Sequence, residues 1–173
     1  MSNILRYAAA GVAMASLGVA STATAATSDT AEVTAEILTA LSVAVDPTDN
    51  TLDFGQIAPG ATGATIVVAP DGTMTGGCPT QVICAGSTNA PSFDIVGNPN
   101  ALVYVTFTGT SSTLSNGTDS MTVDTYTTSL TGGQVTLDGS GDASFTVGGS
   151  LAVAASQAAG VYTGTLEVNV AYN

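Results

Sequence analysis

The last fourteen residues, GVYTGTLEVNVAYN, alternate without a break. Tyr162, Gly164, Leu166, Val168, Val170 and Tyr172 fall on one face; Thr163, Thr165, Glu167, Asn169 and Ala171 fall on the other. A period of two over this length predicts a half-buried β-strand. Residues 31–45, AEVTAEILTALSVAV, show the same period with a blur at Leu38 and Thr39. Their Ala, Glu and Leu also suit a helix, but the period favours strand. Further strands are predicted in TLDF, ATIVV, SFDIV, ALVYVTFT, MTVDTYTTSL and the FTVGGSLAVA run. Turn signals separate them: Pro59-Gly60, Pro70-Asp71-Gly72, the NPN at 98–100, Asn116-Gly117 and Asp138-Gly139. NPN is expected to join two strands, SFDIVG and ALVYVTFT, and QVTLDGSGDASFTVGG is expected to be a hairpin about Asp138-Gly139. Short strands at such spacing predict an all-β fold, an antiparallel sandwich or barrel. No repeat of fixed period runs through the chain, which argues against a solenoid or propeller.

The first 25 residues read differently. Arg6, the apolar run YAAAGVAMASLGVA and the small-residue ATA at 23–25 have the layout of a secretory signal peptide cut after Ala25. No apolar stretch of 18 or more residues follows, so no transmembrane helix is expected. The expected organisation is a leader over 1–25, an N-terminal arm over 26–40 and a β-sandwich domain over 41–173.

Charge narrows the functions open to such a chain. Arg6 is the single Arg or Lys and there is no His, against 13 Asp and Glu. Loss of the leader moves the formal net charge from −12 to −13. Residues 26–173 then carry no cationic side chain. They cannot neutralise the phosphates of nucleic acid or the headgroups of anionic lipid. Nucleophile–base triads lack their base. A carboxylate pair of the glycosidase kind is the one catalytic set left, and no aromatic platform accompanies it. The expectation is a protein that is not an enzyme and holds no cofactor. DGSGD at 138–142 starts like a calcium loop, but Ala143 stands where that loop needs Gly and Gly149 where it needs the bidentate Glu. No metal ligand is assigned. With carboxylates alone, mutual repulsion would raise their pKa values, and mild acid would be neutral or helpful to stability.

Cys78 and Cys84 lie five residues apart in CPTQVIC. For an exported chain an even count predicts a disulfide, here a local clamp on one hairpin. Thiolate metal binding would need further Cys or His, which the chain lacks.

The stretches LDFGQIAPG, VVAPDGT, MTVDTYTTS and FTVGGSLAVAASQAAGVYTGTLEVNVAYN closely resemble a family of secreted bacterial proteins known as domain of unknown function 4402. The ending, Gly160 to Tyr172, is also similar to that of chaperone–usher fimbrial subunits of the spore-coat-U-like type. This second resemblance implies an immunoglobulin-like, pilin-like sandwich of about eight strands that lacks its last strand. It further implies passage through the Sec pathway to the periplasm and then the cell surface, helped by a periplasmic chaperone and an outer-membrane usher. In that group a vacant groove beside the C-terminal strand receives the N-terminal extension of the next subunit.

The residues support the same idea on their own. An exposed regular strand must cover its free edge or risk aggregation. The candidate acceptor edge is Tyr162, Leu166, Val168, Val170 and Tyr172. The candidate donor strand is Ala31, Val33, Ala35 and Ile37, with Val33 and Ile37 as the large side chains. Burying those two would contribute about 3–6 kcal/mol before any backbone pairing. Leu41, Val43 and Val45 either lengthen the donor or form the domain's own first strand. The expected function is a structural subunit of a surface fibre, a homopolymer built by strand exchange. The alternative is a self-complete secreted sandwich that binds a glycan, calcium or a surface partner through loops 72–90 and 109–118.

Overall fold

A computed structural model describes residues 28–173. The predicted leader lies outside the described residues. Twelve strands follow in order: β1 (Ser42–Val45), β2 (Gln56–Ala58), β3 (Ala64–Val68), β4 (Met74–Gly76), β5 (Ile83–Ala85), β6 (Ser92–Val96), β7 (Leu102–Phe107), β8 (Ser111–Ser115), β9 (Ser120–Thr128), β10 (Gln134–Thr136), β11 (Asp142–Val153) and β12 (Val168–Tyr172). A 3-10 turn at Thr131–Gly133 is the only helical element among the described residues. The all-β expectation holds, with more and shorter strands than the eight expected.

All ladders are antiparallel and make a sandwich-like pair of curled sheets with a small flap. The large sheet runs β1-β6-β11-β3-β4, with β9 also on β11 and β8 on β9. A three-stranded sheet, β10-β7-β12, faces part of it, and β2 pairs β5 separately. The long strand β11 holds the large sheet together. Its first half pairs with β6, its second with β3 and β9.

The core is correspondingly double. Ile66, Val68, Val82, Val123, Leu151 and Val153 are buried with Phe54 in one cluster. Ile95, Val103, Val105, Leu137, Phe145 and Val147 form the other, where β6 and β11 face the three-stranded sheet. Odd-numbered residues of β11 reach both clusters, Phe145 and Val147 nearer its start joining one and Leu151 and Val153 at its end joining the other.

Two of the predicted turns close hairpins. β3 and β4 join through Pro70-Asp71-Gly72, where Gly72 takes φ +78°. β8 and β9 join through Asn116-Gly117, with Gly117 at φ +95°. The NPN connection and the hairpin expected about Asp138-Gly139 do not pair their flanking strands. The NPN turn links β6 to β7, and Asp138-Gly139 links β10 to β11, yet each pair lies in different sheets. Both segments arch across the end of the sandwich side by side. Gly97 N–H donates to Gly141 C=O at 2.8 Å and Asn100 N–H to Asp138 C=O at 3.0 Å. Gly141 sits at φ +92° against the Gly97 carbonyl, so a Cβ there would collide with backbone.

The cysteines are joined, and Val82 between them is buried. The bridge does not clamp one hairpin. Cys78 follows β4, which pairs with β3, whereas Cys84 lies in β5 opposite Ile57 of β2. It closes the loop that presses Val82 into the first core cluster.

Candidate functional site

The predicted closing strand is two segments. Thr163 bridges Ser115 of β8 through two backbone bonds of 2.9 and 3.0 Å, and Ser112 Oγ donates to Thr165 C=O at 2.8 Å. The chain then crosses to the other sheet, where Val168–Tyr172 pairs with β7. The period survives the crossing: Tyr162, Leu166, Val168, Val170 and Tyr172 are all half-buried, and the residues between them exposed. Tyr162 belongs to the β8 side, its hydroxyl donating to Ala158 C=O. Leu166, Val168, Val170 and Tyr172 pack on the second core cluster.

The residues 31–45 expected as a strand give only β1. Ser42–Val45 pairs with β6, so Val43 and Val45 belong to the domain's own first strand. Ala31, Val33, Ala35 and Ile37 lie in a segment with no regular structure, Val33 at 92% and Ile37 at 95% exposure. An extended segment without a neighbour to complete its ladder has nothing to hold it as a strand.

The edges of β1 and β12 lie next to each other, one from each sheet, with no ladder between them. Hydrogen-bond parity shows what each offers. Thr108 N–H donates to Glu167 C=O at 3.1 Å and Asn173 N–H to Leu102 C=O at 3.0 Å. The odd-numbered residues of β12 therefore turn their backbone to β7. Val168, Val170 and Tyr172 direct theirs to the outer edge. In β1, Asp46 N–H donates to Ser92 C=O at 2.9 Å, so Ala44 and Ser42 continue the bonding to β6 and Val43 and Val45 face outward. Of these, Val43, Val168, Val170 and Tyr172 carry side chains packed against the second core cluster. Val43, Val168, Val170 and Tyr172 remain half-buried there, and Val45 is 42% exposed. Free backbone donors and acceptors thus coincide with incompletely covered apolar side chains along the seam between β1 and β12, the candidate groove.

Tyr172 closes one end of it. Its hydroxyl accepts from Asn98 N–H and donates to Thr39 C=O, each at 2.7 Å. The ring end reaches Gly97, where Tyr172 Oη, Leu137 Cδ1 and Leu41 Cδ1 would all crowd a Cβ. The sequence shows Tyr172 as a core-facing aromatic; the partners of its hydroxyl, 74 and 133 residues away, leave no local signal.

A second hollow, about 430 Å³, lies between the end of β7 and β9 and is lined by Thr106, Phe107, Gly109, Thr110, Thr125 and Tyr126. Phe107 and Tyr126 pack with their rings tilted by 38° and centroids 5.2 Å apart. Thr125 sits at φ +48° where the β9–β11 register shifts, an unusual conformation for a β-branched residue. Of the loops named as contact sites, 109–118 is largely β8, and 72–90 contains β4 and β5.

Carboxylates are spent on turns. Asp138 Oδ1 accepts Ser140 N–H and Asp142 N–H, so DGSGD is a self-bonded turn. Among the described residues no three Asp, Glu, Cys or His side chains converge as metal ligands. Asp46 is held below the usual aspartate range by the Thr48 hydroxyl and N–H, and Asp71 likewise by Thr73. Asp138 is held down by the N–H groups of Asp142 and Ser140. The expected upward shift from repulsion is therefore overturned at these three positions, because each carboxylate accepts hydrogen bonds in its ionised form.

No curated protein and no solved structure gave a match. The family described as Domain of unknown function (DUF4402) matches residues 43–172, from the second residue of β1 to the last of β12. The groove and both its walls fall within that span, and the chain belongs to the DUF4402 family.

Proposed function

We propose that this protein is a structural subunit of a surface fibre, each copy receiving a strand from the next in the groove between β1 and β12. One observation carries the reading: at Val43, Val168, Val170 and Tyr172, unpaired backbone edge and half-covered core side chains belong to the same residues. A strand laid there would complete ladders on both sides and cover the second cluster in one step. That is β-augmentation. The arm before β1 has the pattern for it, with Val33 and Ile37 exposed and Glu32 and Glu36 on the alternate face. Seating the two large side chains contributes about 3–6 kcal/mol before backbone pairing. Export by a leader, and delivery by a periplasmic chaperone and outer-membrane usher, belong to the same proposal.

The test compares residues 26–173 with residues 41–173 by light scattering and electron microscopy across a concentration series. The longer chain should form extended assemblies. The shorter should fold with the same circular dichroism spectrum, remain monomeric, and bind a synthetic 28–40 peptide. A longer chain that stays monomeric at every concentration refutes the fibre role.

A further inference from the structure

The arm that could fill a neighbour's groove leaves from the mouth of its own. We infer that the Tyr172–Thr39 latch, together with a root devoid of turn-forming residues, biases the arm away from its own groove and toward that of a second copy. The inference rests on the fibre reading and names what makes strand exchange intermolecular.

Tyr172 ends β12, and its hydroxyl holds the Thr39 carbonyl at 2.7 Å. Thr39 stands three residues before β1. The end of β12 and the beginning of β1 therefore meet at the same end of the groove. Leu41 and Tyr172 also approach the same atom position above Gly97, which fixes the root from a second direction. To enter the groove beside it, the arm would have to reverse between Ile37 and Leu41 and run back along β1.

Such a reversal has a known chemistry. Two-residue loops between strands need positive φ, which Gly, Asn and Asp accept; three-residue loops still place one residue there. Both tight hairpins of this chain obey that rule, with Gly72 at φ +78° and Gly117 at φ +95°. From Thr30 to Val45 the sequence contains no Gly, Pro, Asn or Asp. Reversal would force Thr39 or Ala40 into the left-handed region, which disfavours it by about 5- to 30-fold per residue. It would also pull Thr39 C=O away from the Tyr172 hydroxyl. An arm delivered by another molecule enters without any turn. The occupant is thus residues 31–37 of a second copy.

The experiment supplies the missing turn. Thr39→Asn with Ala40→Gly is made in residues 26–173, at two exposed positions. A second variant inserts Asn-Gly between Leu38 and Thr39 and keeps the latch residue. The comparison is made near the effective concentration of the tethered arm, about millimolar, where the strain of the turn decides between its own arm and a neighbour's. Relieving that strain should shift the balance toward the chain's own arm by about 5- to 30-fold. Both variants should therefore lose the high-mass species and run as monomers, with residues 31–37 protected from hydrogen exchange. Variants that polymerise as the parent does overturn the inference while leaving the fibre reading intact. A parent chain that is monomeric with residues 31–37 already protected also overturns it, since the arm would then occupy its own groove. A parent that is monomeric with an unprotected arm refutes the fibre reading itself.

Discussion

Gly97 is where the groove, the latch and the second core cluster meet, and Gly97→Ala tests that meeting point. The residue is buried, and its backbone conformation suits any L-residue, so the cost of a methyl group is steric alone. That methyl would lie 2.6 Å from Tyr172 Oη and 2.9 Å from both Leu137 Cδ1 and Leu41 Cδ1. Leu137 is 1% exposed and has nowhere to go. Overpacking of this kind costs about 1–3 kcal/mol. Displacing the hydroxyl would add about 1–3 kcal/mol by leaving Asn98 N–H without its acceptor. Replacing Gly by Ala returns about 0.4–1 kcal/mol through the unfolded chain. The expected net loss is about 1–5 kcal/mol, or a melting temperature lower by about 3–20 °C for a chain of this size. Urea unfolding at constant m, with calorimetry alongside, reads it. Combining the change with Tyr172→Phe removes the nearest of the three clashes. The pair should be less destabilised than the sum by about 0.5 kcal/mol or more. A Gly97→Ala protein within about 0.5 kcal/mol of the parent, and additive with Tyr172→Phe, would show that these segments do not press together there.

Three further outcomes follow from the same structure. Replacing Cys78 and Cys84 with Ser should cost about 2–3 kcal/mol, the loop-closure value for so short a ring, and the parent should lose the same amount on reduction; an unchanged denaturation midpoint would contradict it. Leu137→Ala, at one of the most buried side chains of the second cluster, should cost about 2–5 kcal/mol in urea unfolding, and a loss below about 1 kcal/mol would mean the cluster is not packed around it. Asp46, Asp71 and Asp138 have folded-state pKa values below the ordinary one. Their contribution is therefore complete above about pH 3.9 and is lost as pH falls through the lower folded values. Changing all three to Asn should flatten the acid limb of the urea midpoint between about pH 4 and 2; an acid limb identical to the parent's would overturn that assignment.

What the sequence shows is the pattern of each strand, and what it hides is the partner. Tyr162 to Tyr172 alternate in the structure as they do on paper, yet the segment serves two sheets, because nothing in a period of two says where a strand changes neighbours. Pro70-Asp71-Gly72 and Asn116-Gly117 specify their hairpins, since a tight reversal needs those residues. The NPN at 98–100 and Asp138-Gly139 carry equal turn chemistry but arch between sheets. A turn fixes a change of direction and leaves pairing to the cores on either side. Val33 and Ile37 have the alternation of a strand, but a ladder requires a second strand, and that requirement is non-local. The groove was legible in outline from Val168, Val170 and Tyr172; its other wall, β1, and the Tyr172 hydroxyl bonds depend on chain crossings that no local window contains.

Strand β11 has a consequence for how the molecule comes apart. Its twelve residues supply Phe145 and Val147 to one hydrophobic cluster and Leu151 and Val153 to the other. Neither cluster can melt while that strand stays ordered in the other without stripping half a ladder from a continuous backbone. The two cores are therefore thermodynamically coupled into a single cooperative unit, and damage beside the cystine loop is felt at the opposite end of the domain.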